Sequence, residues 1–354
     1  MERIAYFLGA GFSAPLGLPL TSNFLEKSKD LYFSDPSKYD HFKLVLETIA
    51  EMSVVKNYYA TDLHNIEEIL SILEMRQSLG GRKRLRKAFL RYIADVVNHY
   101  TPVFQAKKTG WPANWHGGVF SATGRPSQFF GYFVASLLGA QLEASQNITP
   151  IQLGRAAKSE ATYSVITLNY DLVLEQYALY LKESFGSPNL AGFVAPGATQ
   201  HPAGATLLTK LHGSADSSVI VPPTWNKSVA RGLLPAWNSA FVQLSQATQI
   251  RFVGYSLPNA DSYVKYLLRA AAIEAPHLKR IDVLCLDNLR GEVRARYDQF
   301  IDFPNYRFVS AKTEDYMEHV YRATVEPVSI GHPILRFGRL EAAHSEFFSQ
   351  HSTS

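Results

Sequence analysis

Hydrophobic positions along this chain follow two rhythms, and their alternation sets the expected architecture. Near the start, Ile4-Ala5-Tyr6-Phe7-Leu8 is an unbroken apolar run that stops at Gly9-Ala10-Gly11. Such a run predicts a strand buried on both faces and delivered into a glycine turn. From Ser22 to about Pro150 the rhythm is helical. Ile66, Ile69, Leu70 and Leu73 recur at three- and four-residue steps with Glu67, Glu68 and Glu74 between them, which predicts an amphipathic helix. Arg82–Val97 and Phe129–Gln141 continue in that period, and the Gly-, Pro- and Asn-punctuated stretch from Trp111 to Gly124 predicts a long loop. Strand-like runs return at Tyr163–Leu168, Leu207–Leu211, Val219–Val221, Ile250–Val253 and Ile281–Leu286, several followed by helix-like segments. The prediction is an α/β fold: a Rossmann-like, doubly wound parallel sheet with a helical insertion or subdomain.

The expected organisation is a first part of the Rossmann-like domain over 1–30, a helical insertion over 31–150, a second part over 151–320 and a C-terminal extension over 321–354. The extension carries Pro327, Pro333 and a last helix-like piece, Leu340–Phe348, suited to capping the sheet or docking a neighbour.

Composition narrows the class. Of 354 residues, 46% are hydrophobic and 19% charged, enough apolar matter for a sizeable core, so a disordered or fibrous chain is excluded. The 35 Lys+Arg against 31 Asp+Glu leave +4, too small a bias to name a nucleic-acid partner. Cys285 is the single cysteine, which rules out an intramolecular disulfide and a thiolate zinc cluster. No metal site is expected, and a reducing cytoplasm is the expected location. The opening apolar run is too short for a signal-peptide core, and the longest apolar stretch, Phe129–Ala140, falls well short of the roughly 20 residues that cross a bilayer. The basic run Arg82–Lys87 reads as a solvated helix face or a nucleic-acid contact, and Trp111 and Trp115 as loop packing or base stacking.

Candidate chemistry sits where the predicted strands end, because ligands of open α/β sheets bind outside strand C-termini. Gly9-Ala10-Gly11-Phe12-Ser13 reads as a phosphate-cradling turn or a plain tight turn; the third glycine of the dinucleotide fingerprint is missing. In Thr167-Leu168-Asn169-Tyr170-Asp171, Asn169 offers a donor and an acceptor to a ribose hydroxyl or a water, and Asp171 orients the loop or caps the next helix. In Lys210-Leu211-His212-Gly213-Ser214, His212 either takes a proton near neutral pH or is structural. Gly254 and Ser256, in Val253-Gly254-Tyr255-Ser256-Leu257-Pro258, mark a second nucleotide-facing loop. Asp287 either binds a ribose hydroxyl or caps a helix beginning near Arg290.

In their order, these segments resemble the sirtuin-like NAD-binding domain over roughly residues 1–320. More closely, they are similar to the bacterial sirtuin-like NADases of anti-phage defence, and Asn65–Leu70 is similar to the helical insertion of that branch. The four-cysteine zinc module and the Asp-Phe-Arg loop of deacylating sirtuins are absent. The resemblance therefore implies NAD+ as substrate, cleaved to nicotinamide and ADP-ribose without zinc and without an acyl-lysine acceptor. It implies Asn169 and His212 as catalytic residues, Gly9, Ala10, Gly11 and Ser13 at the pyrophosphate, Asp171 behind the Asn169 loop, and Gly254, Ser256 and Asp287 toward the adenosine half. It further implies a homo-oligomer held inactive until a separately encoded partner, such as a HerA-type ATPase or an Argonaute-like protein, releases it. Two other readings stay open on the residues: a non-catalytic NAD or ADP-ribose sensor, and a nucleic-acid effector using the basic run.

Overall fold

The computed structural model describes residues 1–59, 62–63, 65–80, 83–106, 119–120, 125–144, 151–155, 161–185, 190, 192–197, 205–217, 220–221, 231–259, 261–326, 334–335 and 339–351. Strand β1 (Glu2–Leu8) runs into a single helical turn, α1 (Ala10–Ser13), and then into α2 (Phe24–Ser34), α3 (Asp40–Glu51), α4 (Ile66–Ser78) and α5 (Lys83–Tyr100). Helix α6 (Arg125–Leu137) precedes a hairpin of β2 (Ala140–Ala144) and β3 (Ile151–Arg155). The α/β alternation follows: β4 (Ala161–Thr167), α7 (Val173–Phe185), β5 (Phe193–Val194), β6 (Thr206–Lys210), α8 (Leu234–Gln246), β7 (Gln249–Val253) and α9 (Ser262–Ile273). Strand β8 (Arg280–Leu284), α10 (Glu292–Phe300), β9 (Tyr306–Val309) and α11 (Thr313–Thr324) complete it, before a short pair β10 (Val325–Glu326) and β11 (Ile334–Leu335) and a last helix, α12 (Leu340–His351).

Seven strands form one sheet in the order β5-β6-β4-β1-β7-β8-β9, and every neighbouring pair is parallel. The apolar run at the N-terminus explains why β1 is central. Ile4, Tyr6 and Leu8 pack into the layer containing α6, α7, α11 and α12, and Ala5 and Phe7 into the layer of α8, α9 and α10. A strand covered by helices on both faces needs apolar side chains at every position, and these five are all at most 1% exposed. The fold is a Rossmann-like α/β sandwich.

The helical stretch divides in two. Helices α2 to α5 build their own core, with Phe42, Val45, Phe89, Tyr92 and Val96 essentially inaccessible, and meet the sheet region through Tyr170, Ala215 and Ile220. Helix α6 belongs instead to the sheet's own core, with Phe130 and Phe133 against Phe12. The expected insertion over 31–150 thus joins a separate helical unit to a helix of the sheet layer. The helix expected over Phe129–Gln141 ends at Leu137, because Gly139 takes a left-handed φ of 62° and the chain turns into the β2–β3 hairpin.

Among the other expected elements, Val219–Val221 does not join the sheet among the described residues: Ile220 makes one antiparallel bridge to Gly213, and Val219 lies outside them. The Trp111–Gly124 loop, with Trp111 and Trp115, also lies outside the described residues except for 119–120, as do Pro327, Pro333 and Arg82 of the basic run. Strands β5 and β9 were not expected; they are two and four residues long and carry too little pattern to read.

Helix α12 is fastened to the sheet by a buried polar network. Asp282 on β8 accepts from Arg307 Nε at 2.7 Å and Nη2 at 2.8 Å and pairs with His344 Nε2 at 2.8 Å. His344 Nδ1 lies 2.9 Å from the Tyr316 hydroxyl. Burial pushes His344 down to about 3, so it is neutral, donating through Nε2 and accepting through Nδ1. Burial works to raise Asp282, but Arg307 and His344 outweigh it and hold the carboxyl at about 2. Arg251, 1% exposed on β7, donates to the Tyr6 hydroxyl at 2.8 Å and to Glu341 on α12 through both Nη atoms.

Because every strand of the sheet is parallel, all their C-terminal ends lie along one edge. Leu8 stands opposite both Thr167 and Val253, Thr167 opposite Lys210, and Val253 opposite Leu284. The residues that follow β1, β4, β6 and β7 therefore leave the sheet at one level. The chain fills the β4 side of β1 first and the β7 side afterwards, so β1 marks a topological switch point with a crevice above it.

Candidate functional site

That crevice is a cavity of about 660 Å³. One wall is the strand ends: the Gly9–Ser13 turn, Asn169 to Asp171, His212 and the loop Gly254 to Ser256. The facing wall comes from the helical unit, with Phe24, Ile66, Glu67, Ile93 and Val97. A mostly apolar enclosure with a few converging polar groups is the usual form of a small-molecule site.

The glycines are needed for a reason the sequence does not show. Gly9 and Gly11 both lie under the β7 loop: Gly9 N donates to Val253 O at 3.1 Å and Gly11 N to Gly254 O at 2.9 Å. A Cβ on Gly9 would stand 2.6 Å from Gly254 O and from Tyr255 Cα, and one on Gly11 2.9 Å from Gly254 Cα. Gly254 closes the contact from the other side. Its φ is 64°, and a Cβ there would lie 2.2 Å from Phe12 N. Three glycines thus let two strand-end loops touch backbone to backbone, and the same bareness leaves main chain at the cavity wall.

Asn169 is held by that turn. Its Nδ2 donates to Gly9 O at 3.0 Å and to Ser13 Oγ at 3.2 Å, while its own N–H donates to Thr167 Oγ1 at 3.1 Å. Both amide hydrogens are therefore spent within the protein, and only the carbonyl oxygen is left for a ligand. The dual donor–acceptor role expected from the sequence reduces to an acceptor.

Asp171 is 8% exposed, lines the cavity and accepts from the Val173 N–H at 3.1 Å at the start of α7. Burial raises its carboxyl pKa, opposed by Lys210, the Val173 N–H and the Ser13 side chain. Lys210, at the end of β6, reaches across β4 to the Asp171 carbonyl oxygen and to Glu175 Oε1, the latter at 2.8 Å. This one side chain ties the Asn169 loop to the His212 segment. His212 is 2% exposed, lines the cavity and packs its ring against Tyr170 at 6.1 Å between centroids. The left-handed Gly213 (φ 86°) turns the chain back so that His212 O accepts from Val221 N at 2.9 Å.

Ser256 lines the cavity, and its carbonyl oxygen accepts from Arg296 Nε at 3.0 Å. The next residue, Leu257, is wholly buried with a φ of 49°, a backbone strain sustained by the packing around it. Asp287 stands apart from the other expected site residues and does not line the cavity. Its Oδ1 accepts from Asn288 N and Val293 N, both at 2.8 Å, and its Oδ2 from Arg294 N at 3.0 Å. Burial works to raise this carboxyl, but the three N–H groups hold it below the usual range. The helix-cap alternative describes its position.

Several lining residues escaped the sequence reading. Tyr170 and Tyr255 lie inside the segments already singled out, and Tyr255 donates its hydroxyl to Asp261 Oδ2 at 3.0 Å. Thr313, after β9, donates to Gly11 O at 3.0 Å and lines the cavity with Lys312 and Glu314. Cys285, at the end of β8, also lines it, and burial pushes its thiol up to about 12. Among the described residues no group of three or more His, Cys, Asp or Glu side chains is arranged to hold a metal ion. No helix among them is long and apolar enough to cross a membrane.

No curated protein matches the chain significantly. Among solved structures, Sir2Tm bound to a propionylated peptide is similar at 12% identity and a TM-score of 0.36, with 90% of this chain and 92% of that one covered. Sir2 with a p53 peptide and NAD+ is similar at 12% identity over the same shares, with a TM-score of 0.37. A family model describing the SIR2-like domain matches residues 163–299, from β4 into α10 and so across Asn169, His212 and Gly254. Residues 163–299 of this chain are thus similar to a Sir2-type domain.

Proposed function

We propose that the chain is an NAD+-dependent enzyme of the Sir2 type, and that its reaction is hydrolysis of NAD+ to nicotinamide and ADP-ribose. The observation that carries this reading is the meeting of Asn169 and His212 in one cavity with the Gly9–Ser13 turn. The matched SIR2-like family model supports the same ligand.

In this reading the pyrophosphate lies against the bare backbone of Gly9, Ala10 and Gly11 with Ser13 beside it, and Gly254 and Ser256 lie toward the adenosine half. The C1′–N bond of the nicotinamide ribose breaks with its electron pair going to nicotinamide, which leaves neutral. Water adds its oxygen to C1′ and loses one proton. Asn169, with only an acceptor to offer, holds that water or a ribose hydroxyl through Oδ1, and His212 receives the proton. Asp171 and Lys210 fix the two loops that carry them. The same reading takes the protein to be a homo-oligomeric defence effector, restrained until a separately encoded partner such as a HerA-type ATPase or an Argonaute-like protein releases it.

Incubation with NAD+ and chromatography of the products tests it, alone and with candidate activators. Release of nicotinamide and ADP-ribose in equal amounts is expected, lost by at least 100-fold in Asn169→Ala and in His212→Ala. NAD+ binding without turnover in any condition would leave a sensor in place of an enzyme.

A further inference from the structure

The cavity wall opposite the strand ends carries a charge that the proposed reaction needs. As nicotinamide departs, positive charge moves from its ring onto C1′ and the ring oxygen of the ribose. Glycoside-cleaving sites meet such a cation with carboxylates, and fixed charge aimed at developing charge is the largest single contribution to many enzymatic rates. Asn169 offers only a carbonyl dipole, and a histidine that receives a proton supplies no negative charge.

Among the described residues, four carboxylates line the cavity: Glu67, Asp171, Asp261 and Glu314. Asp171 is engaged with the first turn of α7 and lies beside Lys210. Asp261 accepts from Tyr255. Glu314 belongs to α11, which follows β9 at the far edge of the sheet from β6 and His212. Glu67 comes from the helical unit, on the wall facing the strand ends, and its charge acts on Tyr170, the residue after Asn169.

Its placement is built by local sequence. Asn65 Oδ1 caps α4 by accepting from Glu67 N at 3.0 Å and Glu68 N at 3.3 Å. Glu68 turns back to accept from Asp62 N at 3.2 Å. Ile66, Ile69 and Leu70 are buried in the helical core, which sets the rotation of α4 and directs Glu67 to the cavity. There it neighbours Tyr170, which sits between Asn169 and Asp171 and packs on His212. Burial raises the Tyr170 phenol far above its ordinary value, and the first charge adding to that effect is Glu67.

We propose that Glu67 is a catalytic carboxylate supplied by the helical unit, facing the nicotinamide ribose and stabilising the positive charge on C1′. The inference rests on the hydrolase reading above and makes the helical unit a working half of the site rather than a lid.

Two readouts on Glu67→Gln and Glu67→Asp test it: nicotinamide release, and affinity for NAD+ relative to ADP-ribose, which lacks the cationic ring. Glu67→Gln is expected to keep the wild-type melting temperature, to slow release by at least 100-fold, and to lower the NAD+ to ADP-ribose affinity ratio three- to tenfold, with Glu67→Asp recovering part of both. Wild-type turnover in Glu67→Gln would overturn the proposal while leaving the hydrolase reading intact. Should the wild-type protein bind NAD+ without cleaving it, the hydrolase reading falls, and the affinity ratio alone decides: an unchanged ratio overturns the role of Glu67. Binding of neither ligand to the wild-type protein would overturn both.

Discussion

At the scale of single residues, the site is organised by absences as much as by functional groups. Gly9, Gly11 and Gly254 have no side chains because their backbones share one volume, and that contact positions Asn169, whose amide hydrogens end on Gly9 O and Ser13 Oγ. Gly254→Ala should therefore do two things. Its Cβ at 2.2 Å from Phe12 N and its φ of 64° must force the loops apart, at a cost of several kcal/mol, and the displaced turn should lose NAD+ affinity. Chemical denaturation and calorimetric titration check both; a variant with wild-type stability and binding would show that the two loops do not need contact. Asn169→Asp keeps an acceptor but removes both donors, setting a carboxylate against the Gly9 carbonyl. It should lose activity as fully as Asn169→Ala, whereas a role as a simple acceptor would let it retain activity.

At the scale of elements, the end of the chain is fastened through charges rather than through its apolar face alone. Arg251 is 1% exposed and answered by Glu341, so Glu341→Ala strands a buried guanidinium and should destabilise the protein by about 3 kcal/mol. Limited proteolysis should then release α12 first. His344 supplies a pH dependence whose sign follows from its neutrality. Its value falls from an ordinary 6.5 to about 3 in the fold, so between those values the unfolded chain takes up a proton that the folded chain refuses. Stability is complete above about 6.5 and declines as pH drops toward 3. Asp282, lowered from 3.8 to about 2, adds a second loss below its ordinary value. Urea midpoints measured between pH 7 and 4 should fall by roughly one proton's slope less in His344→Gln than in wild type. Equal slopes in the two proteins would mean that His344 does not govern this window.

At the scale of the whole molecule, the cavity lies between two cores, and its two walls come from different parts of the chain. Rocking of the helical unit against the sheet would move Ile66, Glu67 and Ile93 away from Asn169 and His212 together, which is a physical route from assembly to activity. If the proposed restraint acts in this way, specific activity should change on dilution as the oligomer dissociates. Light scattering run in parallel with nicotinamide release checks this: a monomer whose activity is insensitive to dilution would remove assembly from the mechanism.

The sequence by itself determined the central sheet and most of the strand-end residues that line its cavity. An apolar run such as Ile4–Leu8 has one solution, burial on both faces, and the glycines, Asn169 and His212 fall after such runs, where parallel strands place their ligands. The short strands β5 and β9 were not legible, because two or four residues carry no periodicity. Nor was the fate of α6, whose apolar pattern fits either core equally well. Only the tertiary structure decided which polar groups a ligand could use. Asn169 spends its donors on a turn 160 residues away in sequence, Asp287 gives its carboxylate to α10, and Glu67 reaches the cavity from a separate helical core. Local pattern records whether a residue must be buried or paired, whereas the partner it finds depends on which loops the sheet brings to one edge.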